Sequence, residues 1–182
     1  LKRIEQISVR FYPWVAGKNE SYVMRKIKNI RKQAINSLAL RKVLSKVRQF
    51  DPDIIHSNSS VVDFGALLSL TVGVPHVWHF REFGDLDYSL AFLNKKSKVR
   101  ECLNSNADKL VFISRALHEH YSELLDKPEK AVVVYNGVDQ SRYSDFLIET
   151  APSNNQYTIL MLGILIKSKG HTDALEALKI IV

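Results

Sequence analysis

The run Val74-Pro75-His76-Val77-Trp78-His79-Phe80-Arg81-Glu82 has a proline at its second position, is rich in β-branched and aromatic residues, and ends in a charged pair. It reads as a buried strand whose polar tail emerges at the carboxyl end. Working outward, similar apolar runs stand at Asp53–His56, Leu110–Ile113, Ala131–Tyr135 and Tyr157–Leu162, and Gln6–Tyr12 reads as a first strand. Helical patterns separate them at Ser60–Thr71, Leu90–Asn104, Ser114–Leu125 and His171–Val182. Strands alternating with helices predict right-handed βαβ units, hence an α/β chain with a parallel sheet and helices on both faces.

Ligands of such open sheets bind beyond the carboxyl ends of the strands. The informative residues are then His56-Ser57-Asn58-Ser59, His79-Phe80-Arg81-Glu82, Ser114-Arg115, Asn136-Gly137-Val138-Asp139 and residues 163–170.

The 182 residues carry a formal charge of +7, unevenly spread. Residues 1–50 hold 13 Lys/Arg against Glu5 and Glu20, a balance of +11, while the remaining 132 hold 13 bases against 17 acids, a balance of −4. Within Ser21–Gln49, Val23, Ile27, Ile30, Ala34 and Leu38, then Leu40, Val43, Leu44 and Val47, recur at spacings of three and four among Arg25, Lys26, Lys28, Arg31, Lys32, Arg41, Lys42 and Lys46. This predicts one long basic amphipathic helix, suited to a solvated face, an anionic membrane surface or a nucleic-acid backbone. Nucleic acid is the weakest of the three, because the run offers almost no aromatic stacking platform.

One cysteine, Cys102, permits no internal disulfide, and the chain opens without an apolar signal segment, which together favour a cytoplasmic protein. The polar stretch Glu149–Gln156, with Pro152, reads as a linker between a domain at 1–150 and the start of a second at 151–182. So short a second part cannot close a core. The chain is therefore expected to be a fragment, missing a strand and helix at its amino end as well, and inactive by itself.

In this order, the strand-end motifs resemble those of the glycosyltransferase family 4 enzymes. The segments are Pro52-Asp53-Ile54-Ile55-His56, Val74-Pro75-His76-Val77-Trp78-His79, Ala107-Asp108-Lys109-Leu110-Val111-Phe112-Ile113-Ser114, Asn136-Gly137-Val138-Asp139 with Tyr143, and Leu162-Gly163 with Lys169-Gly170 and Ala174 to Ala177. The resemblance implies the GT-B architecture of two Rossmann-like domains and transfer of a sugar from a nucleoside-diphosphate donor to a glycan or lipid-linked acceptor. It further implies retention of anomeric configuration, no metal and no other cofactor, and a place in cell-surface polysaccharide or glycoconjugate synthesis. Ile164 stands where the family commonly has Arg, no glycine-rich first loop is present, and the family's paired glutamates would lie beyond Val182.

On that basis His79 is the expected catalytic histidine, contacting a sugar hydroxyl or charge at the anomeric centre. Gly163, Lys169 and Gly170 are expected to bind the donor, with Lys169 and the following helix amino terminus facing its diphosphate. His56, Asn58, Arg81 and Glu82 are candidate acceptor or sugar contacts, though Arg81 and Glu82 could instead pair with each other. Asn136 and Gly137 are read as a geometric hinge, both tolerating positive φ. His76 and His79, three apart on a strand, point to opposite faces and cannot share a metal, and His118 and His120, two apart on a helix, read as solvated. Ser114 reads as a helix N-cap.

A rival reading keeps the fold without catalysis, as a binding module whose basic helix meets a membrane or nucleic acid. A dinucleotide oxidoreductase is disfavoured because no G-x-G-x-x-G follows a strand. The enzyme itself is expected to lie in the cytoplasm, peripheral at the inner face of the membrane through residues 21–49.

Overall fold

Ser21 is itself extended and caps the helix that follows: its hydroxyl accepts from the Met24 amide, and the chain runs as α1 (Tyr22–Phe50) until Asp51 turns it out with φ 49°. Asp51 in the left-handed region and Pro52 behind it end the helix as the backbone requires. In the computed structural model, which describes residues 9–142 and 158–181, the chain then alternates as the sequence predicts. The elements are β1 (Val15–Gly17), α1, β2 (Ile55–Ser57), α2 (Phe64–Val72), β3 (His76–Phe80), α3 (Asp85–Tyr88), β4 (Leu90–Phe92), α4 (Lys96–Ser105), β5 (Lys109–Phe112), α5 (Arg115–Ser122), β6 (Ala131–Val133) and α6 (His171–Ile181).

Four strands form a parallel sheet in the order β2-β3-β5-β6, flanked by helices: the Rossmann-like α/β class that the sequence predicts. Residues up to Asn136 form one compact unit and those from Gly137 another. In the first, Trp78, Phe80, Leu110 and Phe112 on one sheet face join Val99 and Leu103 of α4 and Leu117 and Tyr121 of α5 in a buried core. Burying each of these large side chains contributes about 1.5–3 kcal/mol. A smaller cluster of Ala39, Val43 and Phe64 ties α1 to α2.

Several expected boundaries move. Leu90–Phe92, expected in a helix, is instead a strand paired antiparallel with β1, and the helix starts only at Lys96. A three-residue apolar run fits either period, and here the distant partner Val15–Gly17 decides. The expected strand Gln6–Tyr12 falls partly outside the described residues, and residues 9–12 form no strand. Asn36 of α1 takes the place of a neighbouring strand, accepting from Tyr12 N at 2.7 Å and donating to Tyr12 O at 3.1 Å. Residues 158–162 likewise form no strand, and the expected linker at 149–156 lies outside the described residues. The helix expected from Ser60 starts at Phe64, because Ser59 and Ser60 are held in a loop by distant groups.

α1 also presents its faces in an unexpected way. Ala39 and Val43 are buried, but so are Lys32 and Asn36, while Val23, Ile27, Ile30 and Leu38 are exposed. No helix among the described residues is long and apolar enough to cross a membrane.

Candidate functional site

Parallel register places His56 beside Val77, so His79, two residues further along β3, lies on the same sheet face and beyond the end of the pair. Its ring stacks on that of His56, with centroids 5.7 Å apart and planes at 15°. His76, an odd number of residues away, points through the opposite face, where Nδ1 meets Asn106 O at 2.7 Å and Nε2 meets Ser57 Oγ at 2.9 Å. The two histidines of one strand thus part company as predicted: His76 is a satisfied core group, and His79 has a buried Nε2 without a partner. Burial holds the His79 imidazole below its ordinary pKa, His56 and Arg81 push in the same direction, and Glu82 opposes them. A neutral imidazole with one nitrogen unspent can donate to or accept from a hydroxyl.

Glu82 does not pair with Arg81. Its Oε1 accepts from Ser59 Oγ at 2.6 Å and from Ser60 N at 2.7 Å, with the Ser60 hydroxyl 3.1 Å away. Two indoles complete the loop, Trp78 Nε1 donating to Ser59 O at 2.8 Å and Trp14 Nε1 to Ser60 O at 2.9 Å. Glu82 therefore fastens the loop after β2 to the end of β3, where His56 stacks on His79. Asn58 and Arg81 are exposed at the same strand ends.

At the other end of β3, Asp108 Oδ2 accepts from His76 N at 2.8 Å, and its own amide donates to His76 O at 2.9 Å. Ser114 Oγ accepts from Leu117 N at 3.2 Å, the N-cap expected for α5. The acid and the serine that bracket β5 thus set the strand's register and start the next helix.

Sequence reasoning missed a second constellation. His120 is exposed, as expected, yet its Nε2 stands 2.9 Å from Asp85 Oδ1, a separation of ion-pair length without hydrogen-bond alignment. Its ring meets Phe83 edge-on at 5.3 Å. Both line a hollow of about 250 Å³, walled by Val61, Phe83, Leu90 and Phe92. Tyr121 closes it, donating to Phe83 O at 3.1 Å, and burial pushes its phenol up to about 12. Asp85 is 35 residues from His120, so no local spacing signals the pair.

In the second unit, a turn of 3₁₀ helix at Lys167–Lys169 leads to Gly170, whose φ of 71° suits glycine, and α6 starts at His171. A Cβ on Gly163 would stand 3.3 Å from His171 Cε1 and 3.8 Å from Lys169 Cβ, so Gly163, Lys169 and Gly170 are neighbours here. His171, not singled out from sequence, adds a buried Nδ1 without a partner. The division between units falls between Asn136 and Gly137, but neither adopts the positive φ on which their hinge assignment relied. Among the described residues no group of three or more His, Cys, Asp or Glu side chains could hold a metal. The profile of Glycosyltransferase Family 4 matches residues 10–142, whereas no curated protein and no solved structure matches the chain.

Proposed function

The chain belongs to glycosyltransferase family 4, and from that premise we propose that it serves a hexosyltransferase that moves a sugar from a nucleoside-diphosphate donor to a glycan or lipid-linked acceptor. The family match carries this reading, since it spans every strand of the parallel sheet. In the proposed reaction the bond between the anomeric carbon and the diphosphate oxygen breaks, its electron pair leaving with the diphosphate. The acceptor oxygen bonds the same carbon with retained configuration, and the proton of the acceptor hydroxyl passes to the departing diphosphate oxygen. No metal enters this scheme.

His79 is the proposed catalytic group, its unspent nitrogen orienting a sugar hydroxyl. Lys169, with the Gly163 and Gly170 backbone beside it, offsets charge on the leaving diphosphate. Asn58, Arg81 and His56 offer polar contacts to the acceptor or sugar, while Glu82 serves by holding the Ser59–Ser60 loop. The product enters cell-surface polysaccharide or glycoconjugate synthesis, and the enzyme works in the cytoplasm, peripheral to an anionic membrane through residues 21–49.

The test is release of nucleoside diphosphate from a panel of UDP- and GDP-sugars by the protein, with His79→Ala and Lys169→Ala beside wild type. Turnover lost in either folded variant supports the assignment and names the donor. A wild-type protein that neither binds nor turns over any donor ends the catalytic reading.

A further inference from the structure

The first half of α1 is built inside out. Arg25, the adjacent Lys28 and Asn29, Lys32 and Asn36 fall at successive turns toward the domain, and each finds a partner there. Arg25 Nη2 donates to Lys18 O, Lys28 pairs with Glu20, and Asn29 Nδ2 donates to Asn94 Oδ1 at 3.0 Å. Lys32 pairs with Asp63, and Asn36 binds the Tyr12 backbone. Turning the helix over would leave these groups unpaired, which fixes its rotation.

What then faces outward is apolar. Val23, Ile27, Ile30 and Leu38 are 63%, 53%, 61% and 63% exposed, and Ala34 is exposed between them. At 1.5 Å per residue this ridge is about 22 Å long. Lys26 and Arg31 flank it, Arg41 and Arg48 continue its line, and all four are exposed. The whole of α1 carries nine Lys/Arg and not one acid. A convex apolar ridge edged by cations complements a surface whose outer layer is anionic and whose interior is apolar, which describes a lipid bilayer.

We propose that this face of α1 inserts into the headgroup layer of an anionic bilayer, with Val23, Ile27, Ile30, Ala34 and Leu38 reaching the acyl boundary and Lys26, Arg31, Arg41 and Arg48 at the phosphates. The proposal rests on the peripheral-membrane reading above and adds insertion by a defined ridge, which charge attraction alone does not require.

The experiment is co-sedimentation of the full chain with phosphatidylcholine vesicles and with vesicles also containing phosphatidylglycerol. Wild type is compared with Ile27→Asn/Ile30→Asn and with Lys26→Gln/Arg41→Gln/Arg48→Gln, all at exposed positions, with circular dichroism as the check that each variant is folded. Ile27→Trp reports insertion directly through its emission. Wild type should bind the anionic vesicles alone, both multiple variants should bind at least about tenfold more weakly, and the Ile27→Trp emission should shift to the blue. If the isoleucine variant binds like wild type while the charge variant does not, membrane contact stands and insertion is overturned. If wild type binds no vesicle, both fall. If the isoleucine variant changes only the oligomeric state, the ridge is a seam between copies of the chain and the proposal is overturned.

Discussion

The imidazole of His79 lies face to face with that of His56, centroids 5.7 Å apart, at the ends of two adjacent parallel strands. A cation on His56 would repel one on His79 at that separation, so His56 favours the neutral form of the His79 ring. Together with burial this keeps His79 a hydrogen-bonding group in place of a charged one.

Removing His56 should therefore raise the His79 pKa. In His56→Leu, the ring-proton shifts of His79 followed by NMR should titrate at higher pH than in wild type. An unchanged midpoint would show that burial and Arg81 alone hold it down.

Acid should destabilise the first unit before its carboxylates titrate. His76 and His79 both have pKa values lowered below the ordinary 6.5, His76 chiefly by burial. The unfolded chain thus binds more protons, so stability is complete above about pH 6.5 and falls as pH drops below it. Urea unfolding in steps from pH 8 to 5 should show this decline, and His76→Gln should flatten it.

Glu82→Ala should loosen the strand-end loop. It leaves the Ser60 amide and the Ser59 hydroxyl without their acceptor. A loss of about 1–3 kcal/mol follows, measurable by urea unfolding, with faster amide exchange at Ser60.

Gly65→Ala should be costly although it sits in a helix, where alanine is normally favoured. The added Cβ would lie 1.9 Å from Ser57 Oγ and 3.2 Å from His76 Nε2, where α2 crosses the sheet. Overpacking of this kind costs about 1–3 kcal/mol. Ser57→Ala in the same chain should recover part of it.

The pair between Lys32 and Asp63 is nearly buried, with side chains 9% and 16% exposed. Asp63→Asn strands the ammonium and should cost about 3–5 kcal/mol. The double change Lys32→Met/Asp63→Leu should be much milder in the same thermal unfolding assay.

The strand-end positions were legible because a buried strand must be apolar and its ends must be punctuated, so His56, His79 and Ser114 announce their places locally. The pairings were not. Glu82 with Ser60, Asp85 with His120 and Asn36 with Tyr12 join residues 22 to 35 apart, and nothing in their spacing distinguishes the partner each finds. The same limit misplaced Leu90–Phe92, whose strand character comes from Val15–Gly17.

Composition and periodicity by themselves determined the α/β alternation, the order of the strands' polar tails and the basic character of α1, because these follow from local propensity and from which residues can be buried. Only the tertiary structure decided which face of α1 turns outward. A helical period states that two faces differ, but whether the polar one faces in depends on Glu20, Asp63, Asn94 and the Tyr12 backbone being there to satisfy it. Those partners come from four separate places in the chain, and only folding gathers them.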